Sequence, residues 1–353
     1  MTTRHWAWPG VLAAATLLWT SPGWAQHAPS ALKQGFDAAW ARRPEQHAAP
    51  LRKEAAAAAA VAAQRWTPDA PALEVTAKTD RITRNDGARE YDAAVAVPLW
   101  LPGERSRAQA AAAADAAAAD QQLRAAQWRL AADVREAYWA HQRARIDLDL
   151  AQQRLANTRR IAADVARRVD AGDLARADAH QADAAAAAAE SEAAEADVAL
   201  TDAAQAWRAL TGAPPAGGGA EPRPEGDTGL HPALAELSAK AELARRQRDL
   251  AGVQSRANPE LTVGAARERG SLGERYGQSV VVGLRIPLGR SSGSAARIAT
   301  AGADLLEAEA QLVLEQQRVH SQVEAAQARV RALEAAHSAA ERRATLARES
   351  RGF

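Results

Sequence analysis

The ionisable residues whose types and spacing could do chemistry gather at one break in the chain. Asp170-Ala171-Gly172-Asp173 interrupts a long alanine-rich stretch, and Asp178 follows one turn later. Three carboxylates within nine positions can attract cations. The chain offers little else of that kind. His141, His180, His320 and His337 are dispersed, and they form no metal-ligand cluster. There is no phosphate-binding glycine loop and no nucleophile elbow. The expectation is therefore a protein that is not an enzyme, with no cofactor, no metal and no catalytic residue. Histidines so placed read as seam or surface residues, and the charges along the chain as solvated faces.

Composition narrows the field. The 353 residues carry a formal net charge of +1, which gives no strong pull toward nucleic acid. There is no cysteine, so disulfides, thiolate metal sites and a lipid-modified cysteine at a mature N-terminus are excluded. Alanine dominates the apolar fraction, with only three Tyr and two Phe. Thin, repetitive helix packing fits this better than a compact core of large side chains. After the N-terminus no apolar run is long enough for a spanning helix.

The elements that must position the break run from Gly103 to Gly212: one long helix, the tight turn, and a helix coming back. About 65 residues before the turn would make a rod of roughly 100 Å. Its outgoing limb repeats apolar or small residues at heptad spacing through Leu123, Leu130, Val134, Ala137, His141, Ala144, Leu148, Ala151, Leu155, Ala162, Val165 and Val169. The return limb does so through Ala175, Ala179, Ala182, Ala186, Ala189, Ala193, Ala196, Leu200, Ala203, Trp207 and Leu210. Such seams predict an antiparallel coiled coil. Within the turn, Gly172 fits a helix C-cap of positive φ and Asp173 is placed to cap the next helix.

Residues 1–25 read as a secretory signal: a basic start at Arg4 and His5, a mostly apolar segment from Ala7 to Thr20, and small residues at Ser21-Pro22-Gly23-Trp24-Ala25. A short membrane anchor is the alternative, disfavoured by the brevity of the apolar segment. Residues 30–66 predict a helix broken or bent near Pro44 and Pro50, stopped by Thr67-Pro68-Asp69-Ala70-Pro71. The period then changes to two. Leu73, Val75, Ala77 and Thr79 alternate with polar residues, Asn85-Asp86-Gly87 marks a turn, and Tyr91, Ala93, Val95, Val97 and Leu99 alternate again. Strands of about 10 residues suit a tilted crossing of a bilayer. Tyr91 and Trp100 would then stand near opposite ends of the second strand, as interface aromatics do. On this hairpin alone, a soluble hairpin with two incidental aromatics is the simpler reading.

Residues 213–230 are rich in Gly and Pro and read as a linker, after which the first half recurs. Pro44 and Pro71 are 27 positions apart, as are Pro232 and Pro259. Leu73 and Val75 recur as Leu261 and Val263 at an offset of 188. Tyr91, Val95, Val97, Leu99 and Pro102 recur as Tyr276, Val280, Val282, Leu284 and Pro287 at an offset of 185. Carried into the helix, that offset matches Val134, Leu148 and Leu155 to Val319, Leu333 and Ala340. The domains are thus a signal at 1–25, a helix, β-hairpin and long helical hairpin at 26–212, the linker, and a second such unit at 231–353. At the same offset Phe353 falls on Arg168. The second unit is therefore expected to be incomplete, a C-terminal truncation without its own tip and return helix.

The duplicated hairpins, closed by Leu101-Pro102-Gly103 and Ile286-Pro287-Leu288-Gly289, resemble the TolC family of outer-membrane efflux proteins. So do Asn258-Pro259-Glu260-Leu261 and the break from Arg168 to Asp178. The resemblance covers essentially the whole mature chain. It implies a mainly α fold of long antiparallel coiled-coil helical hairpins, with two β-hairpins contributing four strands to a trimeric 12-stranded transmembrane β-barrel. It also implies a homotrimer in the outer membrane, extending into the periplasm. There it would conduct passively what an inner-membrane pump delivers through a periplasmic adaptor. Arg168, Gly172, Leu174 and Asp178 match the family's adaptor-docking pattern, and in a trimer Asp170 and Asp173 would ring the pore mouth. Tyr91, Trp100 and Tyr276 would be the membrane-interface aromatics. The short overall pattern and the Asn-Pro-Glu-Leu strand resemble the branch serving heavy-metal or cation pumps. A type I protein-secretion duct of the same fold and a soluble periplasmic coiled-coil scaffold remain the alternatives.

Overall fold

The computed structural model describes residues 30–215, 217, 221 and 231–350. The signal reading at 1–25 lies outside them, as does most of the linker. Ten elements follow in order: α1 (Ala31–Ala41), α2 (Pro44–Gln64), β1 (Ala72–Thr79), β2 (Arg89–Pro98), α3 (Glu104–Asp170), α4 (Arg176–Thr211), α5 (Pro232–Val253), β3 (Glu260–Arg269), β4 (Gly277–Arg285) and α6 (Ser294–Glu349). The run α2–β1–β2–α3 is repeated by α5–β3–β4–α6, so the internal duplication is structural.

The two prolines of the first helix act differently. Pro44 sits at the first position of α2, where a missing N–H costs nothing, and the chain breaks just before it. Pro50 lies inside α2 without ending it. At 67 residues α3 is a rod of roughly 100 Å. Along α3 and α4 the seam residues named above are buried or half-buried in nearly every case, with exposure restored at Ala175 beside the turn. The helices therefore pair as the heptads predict, with alanine letting the backbones approach.

Larger side chains collect where α1 crosses this pair. Ala39, Leu130, Val134, Tyr138 and Trp207 form a buried cluster flanked by Phe36, Trp40, Trp139 and Leu210. Gly35 faces the Trp207 ring so closely that a Cβ there would lie 2.7 Å from Cζ2. The second unit is fastened to the first by charge. Glu236 of α5 is buried, accepting from Arg129 Nη1 of α3 at 2.8 Å and from Lys240 Nζ at 3.0 Å. Burial alone would push its pKa up, but these two cations outweigh that and hold the carboxyl below its ordinary value. From the linker, Glu221 reaches back to Arg135 Nε at 2.6 Å.

The two hairpins join in one antiparallel sheet of order β1-β2-β3-β4. The pairing of β2 with β3 sets Val95 opposite Val263, and the outer pairings set Leu73 opposite Val95 and Val263 opposite Val282. Most large apolar residues of the four strands thus fall on one face; Val281, opposite Gly264, lies on the other.

The offset of 185 differs from what the structure shows in two places. Strands β2 (Arg89–Pro98) and β4 (Gly277–Arg285) start 188 positions apart, and the partner of Leu73 is Val95 while that of Leu261 is Leu284, so Tyr91 and Val95 do not correspond to Tyr276 and Val280. Helix α6 does not follow the offset either. Gly103 and Gly293 are the left-handed N-caps of α3 and α6, and Glu104 and Ser294 their first residues, 190 positions apart. The connection from β4 to α6 is longer than that from β2 to α3, which shifts the second seam along its helix. Val134, Leu148 and Leu155 therefore do not correspond to Val319, Leu333 and Ala340.

Candidate functional site

Three regions carry the candidate residues: the tip of the α3–α4 hairpin, the bare face of the sheet, and the junction between sheet and helices.

At the tip, α3 ends in a Schellman motif. Gly172 has φ of +86°, its N–H donates to Val169 O at 3.0 Å, and Asp173 N–H donates to Arg168 O at 2.9 Å. Asp173 therefore closes the first helix by its backbone and does not cap the second. That role falls to Asp178, whose carboxylate accepts from Ala175 N–H at 3.0 Å at the start of α4. The reason is spacing: the turn runs two residues beyond Asp173 before helical geometry resumes, and a first-turn carboxylate is then the one within reach. Arg168 pairs with Asp164 at 3.2 Å. Asp170, Asp173 and Leu174 are exposed, Leu174 by 37%. The sequence-predicted tip residues are thus gathered at one end of the rod, about 100 Å from the sheet.

The sheet is polar on one side and apolar on the other. Leu73 (72%), Val75 (71%), Val280 (77%) and Val282 (67%) share a face and are open to their surroundings. The opposite face carries Glu74, Thr76, Lys78, Glu90, Asp92 and Glu268, with Lys78 and Glu90 paired at 2.9 Å. Its middle carries Ala94, Gly264 and Val281 side by side. Gly264 lies opposite Ala94, and a Cβ on Gly264 would be 2.5 Å from that of Ala94. Tyr91 and Tyr276 meet at the turn end, with ring centroids 6.4 Å apart. Trp100 is at the helical end, where its Nε1–H donates to Arg65 O at 3.2 Å.

The junction was not legible in the sequence. Glu104, the first residue of α3, is 2% exposed. Its Oε2 accepts from Leu101 N–H at 3.0 Å and Asn258 Nδ2 at 2.7 Å, and its Oε1 from Gln254 Nε2 at 2.8 Å. Asn258 also donates to Leu99 O at 3.0 Å. The Asn of Asn-Pro-Glu-Leu therefore has a structural role, tying the start of β3 to the end of β2. Carboxylate oxygens here hold the two halves in register where strand becomes helix. Among the described residues no cluster of His, Asp or Glu is arranged to hold a metal. His141 is half-buried, and burial together with Arg145 lowers its pKa.

No curated protein matches the chain in sequence. Solved structures do match its fold. The outer membrane protein VceC of Vibrio cholerae aligns with a TM-score of 0.63 at 20% identity, over 82% of this chain and 76% of its own. The channel protein CusC aligns at 0.62 and 17%, over 88% and 79%. The CmeC outer membrane channel of Campylobacter jejuni aligns at 0.60 and 14%, over 89% and 76%. A family model described as outer membrane efflux protein matches residues 36–213, half of the chain. With that match and this fold, the protein belongs to the outer membrane efflux protein family, as an efflux duct of the outer membrane whose helices extend into the periplasm.

Proposed function

We propose that the chain works as a homotrimer whose four-stranded sheets close into one barrel, passively conducting what a periplasmic adaptor and an inner-membrane pump deliver. The observation that carries this is the sheet itself, with one bare apolar face and two unpaired edges on β1 and β4. Open edges are not tolerated in hydrocarbon, so copies must pair edge to edge. Two copies would give eight strands, a number whose interior side chains fill. Three give twelve strands and room for an aqueous bore lined by the polar face. Chemical cross-linking of the outer-membrane protein should give a ladder that stops at three, and the heat-modifiable species should conduct in planar bilayers. A species that stops at one or two would overturn the trimer.

The tip is the proposed adaptor contact, through Arg168, Gly172, Leu174 and Asp178. Support comes from its exposure, its apolar Leu174 and its rigid Schellman geometry. Asp170 and Asp173 would stand three times around the mouth, and rings of carboxylates favour cations. Because Asp178 is engaged in capping, the ring rests on the other two. Asp170→Asn with Asp173→Asn should shift single-channel selectivity away from cations without changing trimer stability. Asp178→Ala should instead loosen the start of α4, at about 1 kcal/mol for a lost cap. Unchanged reversal potentials in the double variant would remove the ring from the mechanism.

A further inference from the structure

On the bare face of the sheet the apolar rungs end in a basic and aromatic one. Starting nearest the helices, the outward rungs are Val97–Leu261–Leu284, then Leu73–Val95–Val263–Val282, then Val75–Ala93–Ala265–Val280. The next is Ala77–Tyr91–Arg267–Gln278, and beyond it Arg89 pairs Arg269. Rungs two residues apart are about 6.7 Å apart along a strand, so Arg267 stands roughly 20 Å from the first apolar rung and Arg269 roughly 27 Å. The apolar band of a membrane-spanning barrel is about 25 Å tall. The arginines therefore fall at its far boundary, on the outward side, on the two central strands where closure of a barrel does not cover them.

Their surroundings leave them open to an anion. Arg267 and Arg269 both lie over the Tyr276 ring, with guanidinium carbons 4.6 and 5.0 Å from its centroid, and Tyr91 adjoins that ring. Arg269 is steadied further by its Nε–H, which donates to Gly87 O at 3.0 Å. Two guanidiniums on one ring repel each other, and Arg89 directly opposite Arg269 adds a third charge. The register puts Glu90, Asp92 and Glu268 on the other face, and at the strand ends Arg89 and Arg269 share a cleft with Glu90, Glu268 and Glu274 without pairing with them. Of the three nearby loop acids, Asp80 accepts from Gly87 N–H at 3.0 Å and Glu274 from Gly270 N–H at 2.8 Å, while Asp86 pairs with none of the three arginines. Among the described residues none of the three arginines makes an ion pair. Stacking on Tyr276 holds the guanidinium planes while leaving terminal N–H groups for bidentate bonds to phosphate oxygens.

We propose that Arg89, Arg267 and Arg269, framed by Tyr91 and Tyr276, bind the phosphate-bearing headgroup of a glycolipid in the outer leaflet. This rests on the reading that the strands cross the membrane. The probe is lipid A carrying its phosphates, against dephosphorylated lipid A, with retention on the detergent-purified protein read by native mass spectrometry. Wild type should retain the phosphorylated form, and Arg89→Gln, Arg267→Gln and Arg269→Gln together should lower its apparent affinity on the order of 100-fold, at about 5-fold per arginine. Equal retention of the two lipids by wild type, unchanged retention by the triple variant, or displacement by millimolar inorganic phosphate would overturn it. Sedimentation with outer membranes and heat-modifiability are measured on the same samples. If both hold while lipid preference fails, the site is wrong and the membrane reading stands; if both fail in wild type, the membrane reading itself falls.

Discussion

Replacing Glu104 with alanine is expected to cost on the order of 3–5 kcal/mol and to empty the outer membrane of assembled protein. Three donors converge on this carboxylate at 2.7–3.0 Å in a buried site. Without it, Leu101 N–H and Gln254 Nε2 lose their partners, and each buried donor left unsatisfied costs about 1–3 kcal/mol. Asn258 keeps Leu99 O, which limits the total. The helix start adds to the effect, because a carboxylate in the first turn of α3 faces the positive end of a very long helix dipole.

What fails is more than local stability. The same three residues fix the angle at which sheet becomes rod, and they tie the first unit to the second at that point. The check is the fraction of heat-modifiable protein in outer-membrane preparations, with thermal unfolding of whatever assembles. Glu104→Gln should fall between: it keeps an acceptor of the same reach but turns an NH2 group toward Asn258 or Gln254. A double-mutant cycle with Asn258→Ala should show a coupling of about 1–3 kcal/mol, since the two side chains share one hydrogen bond. Wild-type levels of Glu104→Ala would mean that the junction is held by the backbone bond from Leu99 N–H to Pro259 O at 2.7 Å.

The contrast between this residue and the seam says what a sequence can reveal. Ala182, Ala189, Leu200 and Trp207 act through period, and period survives in a single chain read in order. Strand faces are legible for the same reason, and so is Gly172, whose conformation is set by its neighbours. Glu104 works through partners 150 and 154 positions away. Nothing in Leu101-Pro102-Gly103-Glu104 indicates that Gln254 and Asn258 will arrive beside it. The pairing of β2 with β3 is hidden likewise, because no turn joins them. Arg267 is the intermediate case. Its odd position in β3 shares parity with Leu261, Val263 and Ala265, so alternation alone places an arginine on the apolar face. The meaning emerges only when Tyr276 and Arg269 are found against it. Asp173 illustrates the opposite error: the turn is two residues longer than its acidic residue suggests, and Asp178 takes the cap.

Gly264→Val is expected to abolish the barrel outright. Gly264 stands opposite Ala94 on the polar face, where a Cβ would meet Ala94 Cβ at 2.5 Å, Ala93 O at 2.6 Å and Ala94 Cα at 2.8 Å. Two of these three are backbone atoms of β2, so no rotamer relieves the contact. Overpacking by a methylene costs about 1–3 kcal/mol where side chains can yield. Here the yielding group is the β2–β3 ladder, the one pairing that joins the two halves of the sheet. A β-branched residue must push those strands apart and break hydrogen bonds that lipid cannot replace. Gly264→Ala should already lower the unfolding temperature of the assembled species, and Gly264→Val should leave none that is heat-modifiable or conducting. Gly283 supplies the control. It lies on the same face of β4, where a Cβ would meet only Thr262 Cβ at 3.8 Å. Gly283→Ala should therefore assemble and conduct like wild type, although both changes add the same methyl to the same face. If the two glycines respond alike, the close approach of β2 and β3 is not what holds the sheet together.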